Sequence, residues 1–293
     1  MPLKLINKIY RSLVIRTLQS KVMRGFSYWF DNVINSHWFN FPFGNKVWAD
    51  KDTYIKLWKL ECKNIYSEID LYEKRLGYSV NPDWIMDLAL HTQVVIKNSP
   101  LCWQHGRILY STLSRWLDEH QGEEYKALTI WETGTARGFS SLCMSKALFE
   151  MGREGRIVTF DVLPHNKKIY WNCIDDLEGP KSRSELLNSW KKLVSRYIIF
   201  LQGDSKLNLK KVATDRIHFA FLDGSHSYDD VMFEFKQIKD FQKSGDVIVY
   251  DDYNIDQFPG LVKAVDEISK EFKYKIELIF AHDARGYAIT TKI

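Results

Sequence analysis

The chain has 293 residues, 45% of them apolar and 14% aromatic, enough for one large domain with an added segment. No apolar run approaches the ~20 residues of a membrane-spanning helix. The four cysteines (Cys62, Cys102, Cys143, Cys173) lie too far apart for a paired zinc motif or a disulfide framework, which predicts a reducing, cytoplasmic setting.

The formal net charge is +4, but it is unevenly spread. Lys4, Lys8, Arg11, Arg16, Lys21 and Arg24 put +6 into residues 1–24 and leave −2 for the remaining 269, so the body carries no general nucleic-acid footprint. Leu3, Ile6, Ile9, Tyr10, Leu13 and Val14 fall on one side of a helix projection, opposite Lys4, Lys8 and Arg11. The pattern predicts a basic amphipathic helix over residues 1–25. Such a helix packs on the body or on a second subunit of a homo-oligomer, or lies peripherally on an anionic membrane. Charges interrupt its apolar residues and no small-residue cleavage site follows, which argues against a secretory signal.

Residues 26–121 read as a helical and aromatic extension. The aromatics from Phe26 to Trp58 form either a docking core or a lid over a pocket, with a packed loop around Asn40, Pro42, Gly44 and Asn45. Helical patterns follow at 52–75, 82–97 and 105–120, the second opened by Asn81 as N-cap and Pro82 in the first turn.

From about 122 to 293 the pattern alternates strand and helix. LTIWE, RIVTFD, YIIFLQ, HFAFLD and DVIVYDD read as parallel strands with crossover helices, and KIELIFA and RGYAITTKI as a closing antiparallel pair. The predicted fold is α/β: a doubly wound, mostly parallel sheet with an antiparallel last strand and an N-terminal helical extension.

The segment LTIWETGTARGFSSLCMSKAL at 128–148 is a strand, a glycine loop and a helix start. Its E-x-G-x-x-x-G spacing, with Glu132, Gly134 and Gly138, lacks the glycines of a dinucleotide fingerprint, and no P-loop Lys follows. Thr133 and Thr135 stand where further glycines would sit. A loop this open suits an adenosine cofactor without phosphates, of which S-adenosylmethionine (SAM) is the common one.

Ligands of such sheets bind at the carboxyl ends of the strands. Asp161 ends the second strand, where a carboxylate can accept both ribose hydroxyls. After the third strand comes Gln202-Gly203-Asp204-Ser205, where Asp204 or Ser205 can meet the adenine edge, although a simple turn explains this tetrapeptide nearly as well. Asp223 ends the fourth strand and Asp251-Asp252 the fifth. These carboxylates crowd negative charge unless a cation shares the site. Hard oxygen ligands of this kind suit Mg²⁺ or another divalent ion; the alternative is that the acids cap the helices that follow, as expected of Asp229 and Asp230.

The ordered set E-T-G-T-A-R-G-F-S, T-F-D, G-D-S, D-G-S-H-S-Y and D-D-Y, then F-P-G-L-V-K-A-V-D-E, resembles the class I SAM-dependent methyltransferases over roughly 105–293. Within them it looks most like the metal-dependent small-molecule O-methyltransferases of the macrocin and mycinose type. The resemblance implies that Glu132, Gly134 and Gly138, with Thr135 in the same loop, hold the methionine end of SAM and Asp161 its ribose. It also implies that Asp223, Asp251 and Asp252 hold the metal. His226 stands where the catechol-type relatives carry Lys, and Asp252 where they carry Asn, which moves the expected acceptor away from catechols.

The reaction so implied is methyl transfer to a hydroxyl of a small polar metabolite, such as a sugar or glycoside. A cation orients the oxygen, and His226, or Asp223 if no metal binds, takes the proton. His226 has a second explanation as a cap of the helix beginning at 227. Two alternatives share the scaffold: a cephalosporin hydroxylase-like enzyme, and a catalytically silent SAM-fold module tethered by its N-terminal helix.

Overall fold

A computed structural model of the chain describes residues 41–282 and 285–293. The helix expected over 1–25 and the first part of the aromatic stretch lie outside the described residues. Residues 41–45 include a turn in which the Gly44 N–H donates to the Phe41 carbonyl at 3.1 Å. Residues 46–293 make a separate compact unit, and everything below concerns it.

Helices α1 (Lys51–Glu61), α2 (Ser67–Leu76), α3 (Pro82–Thr92) and α4 (Gln104–Glu119) precede the sheet. The pattern at 52–75 is therefore two helices. The chain turns at Cys62–Asn64, and the Tyr66 hydroxyl and Asn64 amide both reach back to the Glu61 carboxylate, at 2.5 and 2.7 Å. α3 begins as expected, with the Asn81 side chain accepting from the Trp84 N–H. It stops at Thr92 rather than 97: the Gln93 and Val94 N–H groups both close on the Ala89 carbonyl, and Ile96 is held from outside the helix. Asn172 accepts from the Ile96 N–H at 3.0 Å and donates to its carbonyl at 2.9 Å.

The sheet is built from β1 (Leu128–Thr133), β2 (Gly155–Asp161), β3 (Ile198–Gln202), β4 (Phe219–Leu222), β5 (Val247–Tyr250), β6 (Tyr274–His282) and β7 (Arg285–Lys292). Between the strands run α5 (Phe139–Glu150), α6 (Lys191–Tyr197), α7 (Tyr228–Ile238) and α8 (Pro259–Glu271). Spatial order is β3-β2-β1-β4-β5-β7-β6, parallel through β5, with β7 antiparallel to both β5 and β6.

Side chains alternate across this sheet, and both faces are covered. Leu128, Ile130, Phe219, Phe221, Val247 and Val249 join a core with Ile108, Leu109 and Leu113 of α4 and Leu142 of α5. Trp131, Ala220, Leu222, Ile248 and Tyr250 join the other, with Phe235 of α7 and Val265 of α8. The helices α1–α4 thus complete the first core rather than standing apart from it. Tyr54 of α1, Ile69 of α2 and Leu88 of α3 are fully buried on the inward faces of these helices.

Register decides where the site lies. Thr133 pairs with Phe160 on one side and Leu222 on the other, and Leu222 pairs with Tyr250. The carboxyl ends of β1, β2, β4 and β5 are therefore level. The strand order reverses between β1 and β4, which opens a crevice at that edge.

Candidate active site at the carboxyl edge of the sheet

The loop after β1 enters this crevice in a shape that only glycine allows. Gly134 has φ +87°, and a Cβ there would lie 2.2 Å from the Asp223 carbonyl oxygen. The β1 and β4 ends are in contact through that missing side chain. Gly138, at φ +91°, is the N-cap of α5.

Glu132, at the end of β1, is fully buried. Its two carboxylate oxygens accept from the Ser140 and Ser141 hydroxyls in the first turn of α5. Burial raises its pKa against the help of those hydroxyls. Glu132 thus locks the strand to the helix that the loop connects. Thr135 shares a hydrogen bond with Thr159 of β2 and is also buried.

Asp161 ends β2 and ties the loop from the other side. One oxygen accepts from the Ala136 N–H, the other from the Leu163 N–H at 2.6 Å. Arg183 approaches to 3.7 Å while its Nε donates to the Ala136 carbonyl at 2.9 Å. Burial raises the Asp161 pKa in spite of Arg183. Each carboxylate oxygen retains a second lone pair. Of the pair after β3, Asp204 accepts from the Lys206 N–H at 2.7 Å, and Ser205 donates to Glu234 at 3.0 Å. Asp204 thus holds its own turn, and Ser205 ties that turn to α7.

The ends of β4 and β5 hold the reactive cluster. His226 directs its Nε2 at Asp252 (3.3 Å) and Asp223 (3.6 Å) without completing a hydrogen bond to either. Donor atoms of Asp223, His226 and Asp252 lie within 4.8 Å of one another. The imidazole packs on Phe258 at 4.2 Å between ring centroids. Asp252 sits at φ +57°, a left-handed conformation that turns its carboxylate toward His226.

His226 is not the cap of the next helix: Ser227 accepts from the Asp230 N–H at 3.2 Å, with Asp229 and Asp230 in the first turn. Burial and then the charge of Asp251 push the Asp223 carboxyl up to about 7. Burial opposes a charged His226, yet the facing carboxylates prevail and raise its pKa. These groups titrate together.

Asp251 does not join them. It is fully buried, with one oxygen accepting from the Asp252 N–H at 2.8 Å and the other from Arg285 at 2.5 Å. Arg285 also reaches Asp252 at 2.8 Å. The cation that adjacent acids call for is therefore in part a side chain, and the set that converges is Asp223, His226 and Asp252. Arg285 gets there through a close approach of β7. The Tyr253 N–H donates to the Gly286 carbonyl at 2.8 Å, and a Cβ on Gly286 would lie 2.3 Å from the Tyr253 oxygen.

His105, in the first turn of α4, borders the same cluster. It packs edge-on to Phe139 and parallel to Phe221. Its Nδ1 is buried without a partner. Burial, then the positive charge of Arg285, lowers its pKa to about 3, so the ring stays neutral. Lys97 also feels Arg285 and Asp252, and its pKa is lowered by desolvation first and Arg285 next. Thr133 donates to Glu234 of α7 at 2.9 Å, a carboxyl that burial pushes up to about 7.

Residues 131–253 match a family model described as a methyltransferase domain. No curated protein sequence matches the chain. Among solved structures, cofactor-bound Rv0187 from MTB aligns at a TM-score of 0.52 and 15% identity, over 78% of this chain and 98% of its own. The O-methyltransferase TomG from Streptomyces achromogenes, in complex with SAM, aligns at 0.48 and 16%, over 76% and 95%. SAH-bound methyltransferase PaMTH1 from Podospora anserina aligns at 0.47 and 15%, over 85% and 99%. At these identities the likeness is one of fold. The family-model match extends over residues 131–253, and the structural likeness adds the arrangement of the sheet and its helices. Among the described residues no helix is long and apolar enough to cross a membrane.

Proposed function

We propose that the protein transfers a methyl group from SAM to a hydroxyl of a small polar molecule. The observation that carries this reading is the convergence of His226 Nε2 with the Asp223 and Asp252 carboxylates beside the glycine loop. SAM supplies an electrophilic methyl group, and the protein's part is to position an acceptor oxygen and remove its proton.

The residues fit the cofactor. Asp161 keeps lone pairs free for ribose hydroxyls while its other contacts hold the loop in shape. Gly134, Thr135 and Gly138 frame the methionine side, with Glu132 behind them fixing the angle between β1 and α5. Asp204 and Ser205 shape the adenine side through their turn, Asp204 by its bond to the Lys206 N–H and Ser205 by anchoring the turn to Glu234 of α7.

Where no metal binds, His226 or Asp223 is the proton acceptor. Burial and the charge of Asp251 bring the Asp223 carboxyl up to about 7, near the pH at which a base is most effective, and the facing carboxylates raise His226. The unpartnered Nε2 of His226 between two carboxylates is also a donor set for a divalent ion. An imidazole with two carboxylates suits Mn²⁺, Fe²⁺ or Zn²⁺ at least as well as Mg²⁺. Asp223, His226 and Asp252 would hold it, and it would supply polarisation of the acceptor hydroxyl. Asp251 would act from behind, keeping Arg285 and the Asp252 backbone in place.

The test is incubation of the purified protein with methyl-labelled SAM and a panel of polyhydroxylated small molecules. Label should appear on an acceptor oxygen with equimolar S-adenosylhomocysteine. EDTA should suppress it, a divalent ion restore it, and Asp223→Asn reduce turnover by roughly 10²–10⁴-fold. Transfer indifferent to EDTA would remove the metal, and label on no acceptor would contradict the reaction.

A further inference from the structure

A cavity of about 330 Å³ lies among α1–α4, with none of Asp223, His226 and Asp252 in its lining. Its walls include Glu61, Tyr66, Glu73, Trp103, Gln104 and Arg107. The volume is at the lower end of small-molecule sites, which run roughly 300–1,000 Å³. We propose that this cavity is a second ligand site, apart from the methyl-transfer centre. Its ligand is a small organic ammonium that bears a neighbouring hydroxyl or carbonyl oxygen. The site stands whether or not the methyl-transfer reading does.

Charge selects an ammonium. Three carboxylates (Glu61, Asp70 and Glu73) and one guanidinium (Arg107) line the cavity, a formal net of −2. Arg107 is spent on its neighbours. Its Nε donates to Glu73 and its Nη1 to Gln104, both at 3.1 Å, and its Nη2 to Asp70 at 2.7 Å. Glu61 has no such partner. It is 6% exposed, and its oxygens accept from the neutral Tyr66 hydroxyl at 2.5 Å and Asn64 amide at 2.7 Å. Lys97 acts on it through space without an ion pair, and burial raises its pKa against all three. A buried carboxylate with no bonded cation is costly. An ammonium in the cavity offsets that cost, whereas an anion meets only acids and a saturated arginine.

Two buried donors call for the oxygen. Trp103 and Gln104 are 3% and 4% exposed. Gln104 gives its carbonyl oxygen to Arg107, which leaves its amide N–H groups over. Among the described residues neither these nor the Trp103 indole N–H has a hydrogen-bond partner. Both residues line the cavity, so these donors are available to what fills it. A desolvated N–H needs an acceptor, and a ligand oxygen provides it. Tyr66 and Trp103 add aromatic surface, against which organic cations are held. The arrangement follows from the helix ends: Glu61 closes α1, Tyr66 precedes α2, and Trp103 precedes α4.

The test uses the full-length protein in amine-free buffer. Ethanolamine and serinol are the ammonium probes, with ethylene glycol and glycerol as neutral matches and glycolate and glycerate as anionic ones. Binding is followed by intrinsic tryptophan fluorescence and by saturation-transfer NMR. At least one ammonium probe should bind saturably, at least tenfold more tightly than its neutral and anionic matches. Glu61→Gln removes the charge, and Ser79→Trp, at an exposed rim position, fills the space. Each should weaken the probe at least tenfold while SAM affinity by calorimetry stays within twofold of wild type. Saturating SAM should leave probe binding unchanged, which separates this cavity from the crevice at the strand ends. No saturable ammonium probe, equal binding of a neutral match, unchanged affinity in either variant, or displacement by SAM would overturn the proposal.

Discussion

Arg285 donates to the fully buried carboxylate of Asp251 at 2.5 Å and so divides the acidic pair at the end of β5 into two roles. Asp251 becomes a structural anchor, and Asp252, held by the same guanidinium at 2.8 Å, is left facing His226. Replacing Arg285 leaves both carboxylates without their shared cation, and of the two Asp251 is fully buried.

Arg285→Gln should therefore destabilise the fold by about 3 kcal/mol, the range for breaking one side of a buried pair. Urea denaturation in EDTA measures the loss. Added Mn²⁺ should restore more stability to the variant than to the wild type, because it replaces the lost positive charge. An unchanged midpoint would mean that Asp251 is compensated by something else.

Two glycines with similar backbone angles provide a matched comparison. Gly134 (φ +87°) has the Asp223 carbonyl 2.2 Å from where a Cβ would go, whereas Gly77 (φ +80°) has nothing within 4 Å. Alanine at Gly77 should cost about 1 kcal/mol, the left-handed strain alone. Alanine at Gly134 should cost that strain plus separation of the β1 and β4 ends, roughly 3 kcal/mol or more, and should weaken SAM binding. Thermal unfolding of the two variants separates space from strain.

Glu234 sets a pH dependence of stability. Its folded pKa of about 7 lies above the ordinary 4.5 of the unfolded chain. Between those values the folded protein binds a proton that the unfolded chain has lost, so this group makes stability fall as pH rises from about 4.5 to 7. The full effect is about 3 kcal/mol by the conversion of pKa shift to free energy. Glu234→Gln keeps a bonding partner for Thr133 and Ser205 and should flatten that part of the profile, gaining stability at pH 8 relative to wild type. Parallel profiles for the two proteins would contradict it.

The sheet is legible in the sequence because burial on both faces leaves short β-branched and aromatic runs, each ending in the residue that meets the crevice. Glu132, Asp161, Asp223 and Asp251 all fall at such ends. The end of α3 was hidden because what holds the chain beyond it is long-range: Asn172 takes the Ile96 backbone from 76 residues away. His105 gave no signal, since a histidine in an amphipathic helix looks like any other core residue. Arg285 was recoverable in principle. Crowded acids require a cation, and an arginine in the closing hairpin answers that need as a metal does.

The central claim is that SAM binds at this edge with Asp161 as its ribose anchor, and calorimetric titration of SAM into the protein tests it most directly. The account predicts one saturable site per chain, weakened at least tenfold by Asp161→Ala and little changed by Asp252→Asn, which acts on the acceptor side. No saturable heat, or equal affinity in Asp161→Ala, would contradict it.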